Sequence, residues 1–303
     1  MANEKECGKK GIKPYDVDSW DKFSETFDGE FCTKEDEASN GKIYLGDYVW
    51  RGQRCKKKDE KGEGLISSFD REFRQDDGDF VYDPDRDTIL KRHLNSFAYA
   101  VRSRLKEFGL TVREIKAAIR EKLLSKNHIW ALAQHYGLKT PLLDWSYSPY
   151  VAAYFAFQEK PDDGEKSKKE DNQKYRIVWG LNYKQVCDNY KEAGVFNTGI
   201  EYFDPMSSEH PRLINQRGLF TIAKKGEAIE KIVGRNAHVD CNGPWLIKIK
   251  IKDSKDNREN FLRRLNAMNI NHMSLFPEIK GATEFCNIGL EFDEYARFHG
   301  QWW

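Results

Sequence analysis

Strand and helix patterns that interleave without a regular strand–helix–strand rhythm predict an α+β fold for this chain. Two observations carry that expectation. Runs rich in aromatic and β-branched residues read as strands, namely Lys42 to Arg51 (KIYLGDYVWR), Tyr175 to Leu181, and Trp245 to Ile251 (WLIKIKI), the last with clear alternation. Apolar positions from about Arg86 to Lys126 instead recur at helical spacing. No internal repeat is visible, nor a glycine-rich phosphate fingerprint such as GxGxxG.

Taken in order, the chain opens with a polar leader, after which Trp20, Phe23 and Phe27 mark a short amphipathic helix with its aromatic face inward. The strand over Lys42 to Arg51 follows, placing Arg51 at its end beside Gly52, and then a charged loop, CKKKDEKGEG. Ile89, Leu90, Phe97, Val101, Leu105, Ile115, Ile119 and Leu123 predict two or three helices broken near Gly109. Thr111 and Glu114 have the Thr-x-x-Glu form of a capping box. Asn127 to Tyr136 predicts another short helix, stopped by Gly137. Ser148 followed by Pro149 matches an N-cap and first helical residue, so the largely apolar YVAAYFAF begins a buried helix there. Residues 161 to 174 form a charge run without periodicity and read as a solvated loop. Asn257 to Met268 reads as helix.

Composition narrows the function classes. At 303 residues, 39% hydrophobic and 33% charged, the chain has enough apolar content for a substantial core beneath a well-solvated surface. Fifty basic against forty-nine acidic side chains leave no global field to steer it onto nucleic acid or an anionic membrane. The N-terminus MANEKECGKK lacks the apolar core of a signal peptide and no apolar run approaches a membrane span, so a cytoplasmic location is expected. Cys7, Cys32, Cys55, Cys187, Cys241 and Cys286 form no pair or Cys/His cluster at zinc spacing, which predicts reduced thiols and no bound metal.

The residues able to carry chemistry cluster in a few segments. Arg51, followed by a glycine without a side chain to block approach, suits two-pronged binding of a phosphate or carboxylate; equally, it suits a structural ion pair with an acid such as Asp144. The start of the helix at Pro149 offers free amides and a positive dipole end for an anion. Asp144 and Ser146 lie on the extended approach to it, where they would orient Arg51 or bind a sugar hydroxyl, or, for Asp144, satisfy turn amides. Gln134-His135-Tyr136 supplies a donor, a base and a ring, with a hydrogen-bonded core histidine as the alternative. Trp145 and Tyr147 suit stacking on a flat ring or plain core packing. Arg212, Asn215 and Gln216 precede the turn at Gly218, and Glu278 is either an exposed acid on a rigid turn or a helix-start acid.

Four segments, VWRGQ from Val49, AQHYGLKTPLLDWSYSPYVAAYFAF, RLINQRGLF and SLFPEIKG, together resemble the FRG domain, named after an aromatic-Arg-Gly motif. The resemblance runs from Val49 to Gly281, with two departures: Pro141 stands where the family usually has arginine, and Trp50 replaces the usual Phe. It implies a leader with a short helix over 1–40, the FRG domain over 41–285 with a helical insertion at about 86–136, and a tail over 286–303.

Through that family the chain is distantly similar to ADP-ribosyltransferases. That likeness implies split mixed or antiparallel sheets with NAD, as substrate, in the cleft between them. It assigns Arg51, Ser146 and Glu278 to catalysis, and Arg51, Gly52, Gln53, His135, Asp144 and Trp145 to NAD. The Glu-x-Glu triplet Glu4-Lys5-Glu6 lies at the other end of the chain, so Glu278 is taken as the late acid. The implied setting is a bacterial toxin or phage-defence effector that modifies a protein or nucleic acid or hydrolyses NAD, with an antitoxin or regulatory partner. The alternative is a non-catalytic module that recognises a nucleotide or nucleic acid through Arg51 and basic clusters such as Lys56-Lys57-Lys58.

Overall fold

The computed structural model describes residues 11–38, 42–54, 64–73, 85–103, 113, 125–160, 174–187, 198–204, 211–236 and 244–292. Its strands are β1 (Ile12–Val17), β2 (Phe31–Cys32), β3 (Ile43–Tyr44), β4 (Tyr48–Arg54), β5 (Leu142–Ser146), β6 (Tyr175–Asn182), β7 (Ile200–Phe203), β8 (Gly218–Ala223) and β9 (Leu246–Lys252). The helices are α1 (Trp20–Glu30), α2 (Glu35–Ala38), α3 (Arg86–Ala100), α4 (Ser125–His135), α5 (Pro149–Phe157), α6 (Tyr183–Val186), α7 (Pro211–Gln216), α8 (Ile229–Asn236), α9 (Lys255–Ala267), α10 (His272–Leu275) and α11 (Ile279–Leu290). The fold is α+β, as expected.

Seven strands form one sheet in the order β1-β9-β6-β4-β5-β8-β7, antiparallel except for β1 beside β9, and β2 pairs separately with β3. Among the described strands the two small sheets expected from the sequence are thus joined. The join is thin: β4 pairs with β6 from Tyr48 to Arg54, but with β5 only at Trp50 and Ser146. This corrects the place of Arg51, which lies inside β4 on its β6 side and beyond the last pair on its β5 side.

Two further boundaries differ from expectation. The run from Lys42 is interrupted by a 3-10 turn at Leu45–Asp47 before β4 begins. The polar leader contributes β1, whose Pro14 and Lys13 break the strand pattern but are tolerated on an edge, where one side of the backbone makes no ladder.

Alternation along β4 sends Tyr48, Trp50 and Gly52 to one face and Val49, Arg51 and Gln53 to the other. On the first face Trp50 and Tyr48 join Trp20, Phe23 and Phe27 of α1, the apolar residues of α5, and Phe261 of α9 in one core. There α5 lies so close that a Cβ on Gly52 would meet the Ala152 carbonyl oxygen at 1.9 Å and the Ala156 nitrogen at 2.5 Å. The second face carries Val49, Leu143, Trp145, Trp179 and Val233. A third cluster packs α3 and α4 onto β5 and β8 through Leu94, Trp130, Leu142 and Phe220.

The far end of α5 is held by two buried arginines. Arg176 donates to the carbonyls of Ala156 (2.6 Å) and Glu159 (3.0 Å) and pairs with Asp253 at 2.7 Å. Arg258 donates to Phe157, Gln158 and Glu159 carbonyls and pairs with Glu291. These guanidiniums satisfy carbonyls that a helix end leaves open. No helix among the described residues is long and apolar enough to cross a membrane.

Candidate functional site

The crevice opens where β4 and β5 diverge. Arg51 Nη1 crosses it to the Asp144 carbonyl oxygen at 2.8 Å and lies 3.5 Å from the Asp144 carboxylate. Burial pushes the guanidinium pKa down; Asp144 opposes that shift and the nearby positive Arg71 adds to it. Gln134, on the last turn of α4, donates to the other oxygen of Asp144 at 2.6 Å and accepts from Thr140, which fixes the carboxylate's orientation. The ion pair with Asp144, one of the readings of Arg51 that the sequence offered, is present and stands at the edge of a cavity.

That cavity has a volume of about 260 Å3 and is walled by Arg51, Asp144, Gln134, Ser68, Arg71 and Lys139, among others. Its outer wall, residues 64–73, is pinned to the start of β5. Phe69 donates its amide to the Thr140 carbonyl and Thr140 donates its own to Ser68 Oγ, both at 3.1 Å.

A second polar group continues from α4. His135 Nδ1 lies 3.2 Å from Arg212 Nη1, and its Nε2 lies 3.5 Å from Glu278 Oε1. A guanidinium only donates, so Nδ1 accepts and the ring proton sits on Nε2, facing the carboxylate. Arg212 also lies 4.4 Å from the centre of the Phe276 ring. Burial lowers its pKa, and the carboxylates of Asp144 and Glu278 both oppose the shift. One arginine thus senses the acids of both groups. Asn215 and Gln216 complete the assembly by donating to the carbonyls of Ser274 and Leu275 at 2.8 and 3.1 Å.

The four segments singled out in the sequence meet here. Residues 46–165 match the family model of the FRG domain. Over that segment the chain is similar to the FRG domain. No curated protein and no solved structure matches it. The matched span holds Arg51, Gln134, His135 and Asp144, while Arg212 and Glu278 meet His135 from beyond it; the span of 41–285 expected from the sequence extends further than the match.

Not every candidate faces the crevice. Ser146 is 4% exposed, donates to the Gln216 carbonyl at 2.7 Å and accepts the Ser148 amide at 3.0 Å, so its hydroxyl holds the turn before β8 onto the end of β5. Trp145 is a core residue whose Nε1 donates to Thr221 at 2.8 Å, and Tyr147 bonds the hydroxyl of Tyr202. Gln53 accepts from Trp179 at 2.9 Å. Gly52 faces α5 and serves helix packing, not ligand approach. The start of α5 is mostly satisfied, because Ser148 donates its amide to Ser146 Oγ, Pro149 has no amide and Val151 donates to Ser148 Oγ, which leaves only the Tyr150 amide outside these bonds.

Glu278 is the N-cap residue of α11 without a side-chain cap bond, which leaves its carboxylate directed to His135. Arg71, in a segment with no motif signal, was missed by sequence reasoning. Lys56-Lys57-Lys58 and the capping box at Thr111 and Glu114 lie outside the described residues. Among the described residues no group of three or more His, Cys, Asp and Glu is placed to hold a metal ion.

Proposed function

We propose that the FRG domain binds NAD in the crevice between β4 and β5 and cleaves its nicotinamide–ribose bond. What supports this reading is a pair of polar groups joined through adjacent residues of α4: Gln134 holds Asp144 beside Arg51, and His135 meets Arg212 and Glu278. Arg51 takes the pyrophosphate by charge-assisted hydrogen bonds. Bond cleavage sends the electron pair to nicotinamide and develops positive charge on the ribose. A carboxylate held in place by His135 stabilises that state more than the ground state. A nucleophile on a protein or nucleic acid captures the ribosyl carbon, or water does, which makes the reaction NAD hydrolysis.

Ser146 enters as a positioning residue. The setting that accompanies this reading is a bacterial toxin or phage-defence effector, and growth arrest on expression, relieved by Glu278→Gln, tests it.

A second reading, a non-catalytic nucleotide or nucleic-acid recognition module, is favoured by one observation: the Ser146 hydroxyl is spent on backbone groups. Incubation with NAD and cell extract separates the two. Nicotinamide release that disappears in folded Arg51→Ala and Glu278→Gln variants supports cleavage. NAD binding without release leaves the module, and absence of NAD binding removes the cleavage reading.

A further inference from the structure

The cavity beside Arg51 holds more positive charge than its own fold uses. Arg71 is exposed, and among the described residues its guanidinium makes no hydrogen bond or ion pair, although it stands close enough to Arg51 to push that group's pKa down. Lys139, also on the wall, is paired with Glu72 at 2.7 Å, and among the described residues Asp144 is the only carboxylate in the lining. One carboxylate therefore faces two guanidiniums, and an added anion would offset the repulsion between them.

Arg71 is also held where it is. It sits on the short turn Asp70–Phe73, anchored by buried Asp70, which accepts from Arg86 Nε at 2.6 Å and Nη2 at 3.1 Å and from Ser67 Oγ at 2.6 Å. Gly226, at φ 72°, lets the next loop close over this pair, since a Cβ there would lie 2.3 Å from the Asp70 carboxylate. The turn is fixed from behind while its arginine stays free in front.

We propose that Arg71 and Arg51 form a two-guanidinium clamp for a diphosphate, so that the site selects diphosphate-bridged nucleotides over monophosphates and nucleosides. This deepens the NAD reading and rests on it for the identity of the natural ligand. Each guanidinium presents a planar fork that matches the oxygens of one phosphate, and two forks across one cavity match two linked phosphates better than one.

The test is calorimetric titration of the full chain with inorganic pyrophosphate, ADP-ribose, AMP and adenosine, for wild type, Arg71→Ala and Arg71→Lys. The clamp requires ADP-ribose to bind more tightly than AMP, and Arg71→Ala to weaken ADP-ribose and pyrophosphate by roughly tenfold or more, the loss of a hydrogen-bonded charge. Arg71→Lys restores only part, because an ammonium lacks the fork. Arg71 is exposed, so unchanged thermal melting establishes that the variants are folded. Affinities unaltered by Arg71→Ala overturn the clamp while leaving nicotinamide release to stand. AMP bound as tightly as ADP-ribose overturns the diphosphate assignment. Pyrophosphate binding that depends on Arg71, without NAD cleavage, keeps the clamp and removes the enzyme. Failure of the wild type to bind pyrophosphate or ADP-ribose removes both.

Discussion

Arg51 holds Asp144 by its main-chain oxygen, at 2.8 Å, more closely than by its carboxylate, at 3.5 Å. The bond that spans the crevice is thus independent of the side chain at 144, which is 61% exposed. Asp144→Asn is expected to change stability by no more than about 1 kcal/mol in urea denaturation, as for other solvent-screened ion pairs. The same variant removes the one carboxylate from the cavity wall, so pyrophosphate affinity should rise.

The glycine of the aromatic-Arg-Gly motif answers to packing. Gly52→Ala puts a methyl group into the backbone of α5, and neither partner is a flexible side chain that can move aside. A loss of about 1–3 kcal/mol or more is expected from overpacking. Chemical denaturation measures it, and a value near zero would mean that α5 shifts freely over β4.

Arg176 is fully buried and serves two carbonyls as well as Asp253. Arg176→Met leaves the Asp253 charge without its partner and is expected to cost about 3–5 kcal/mol. Arg176→Lys should recover little, since one ammonium does not reproduce three directed bonds. Midpoint shifts in denaturant decide between these outcomes.

His272 is half-buried, stacked on Phe276 at 4.1 Å between ring centres and bonded through Nδ1 to the Tyr154 hydroxyl. Burial lowers its pKa; the positive Arg212 and Lys280 act in the same direction, while Glu284 and Glu278 oppose. A histidine depressed in the folded state takes up its proton first in the unfolded chain. Its contribution to stability is therefore complete at neutral pH and falls as pH drops below the ordinary value of 6.5 toward the folded one. The slope from this group is at most about 1.4 kcal/mol per pH unit. His272→Gln should flatten the stability profile between pH 7 and 5, and an unaltered profile would exclude this residue as the cause.

Ser146→Ala removes a bond to the Gln216 carbonyl and one from the Ser148 amide. A loss of about 1–3 kcal/mol is expected, with both backbone groups left without this partner. If NAD is cleaved, kcat and KM should change together, because the turn after α7 moves as a unit; a pure fall in kcat would return Ser146 to the reacting atoms.

Helices α1, α3, α4, α5 and α9 and strands β4, β6 and β9 were legible because their signals are local, whereas β8 and the helices near 211, 229, 272 and 279 were passed over. Ser148 and Pro149 begin α5, Trp20, Phe23 and Phe27 line the buried side of α1, and Tyr175 opens β6, each where spacing or capping placed it. Edge strands were not: β1 and β7 were passed over, since one contains proline and lysine and the other is only four residues long. In the site, the meeting of Arg51 with Asp144 was among the readings of the sequence. The place of Ser146 and Trp145 was not decided there, because a polar or aromatic residue on a strand reads alike whether it faces a cavity or the core. Arg71 had no signal at all; its position depends on Asp70 pairing with an arginine sixteen residues away.

Because one ladder step, Trp50 to Ser146, is all that stitches β4 to β5, the width of the opening is not dictated by sheet pairing. It is set by what straddles the seam: a guanidinium on one bank, a main-chain oxygen on the other, and the short helices that lean in from later in the chain. Altering those bridges retunes the mouth while the five other strand pairings of the sheet keep their register.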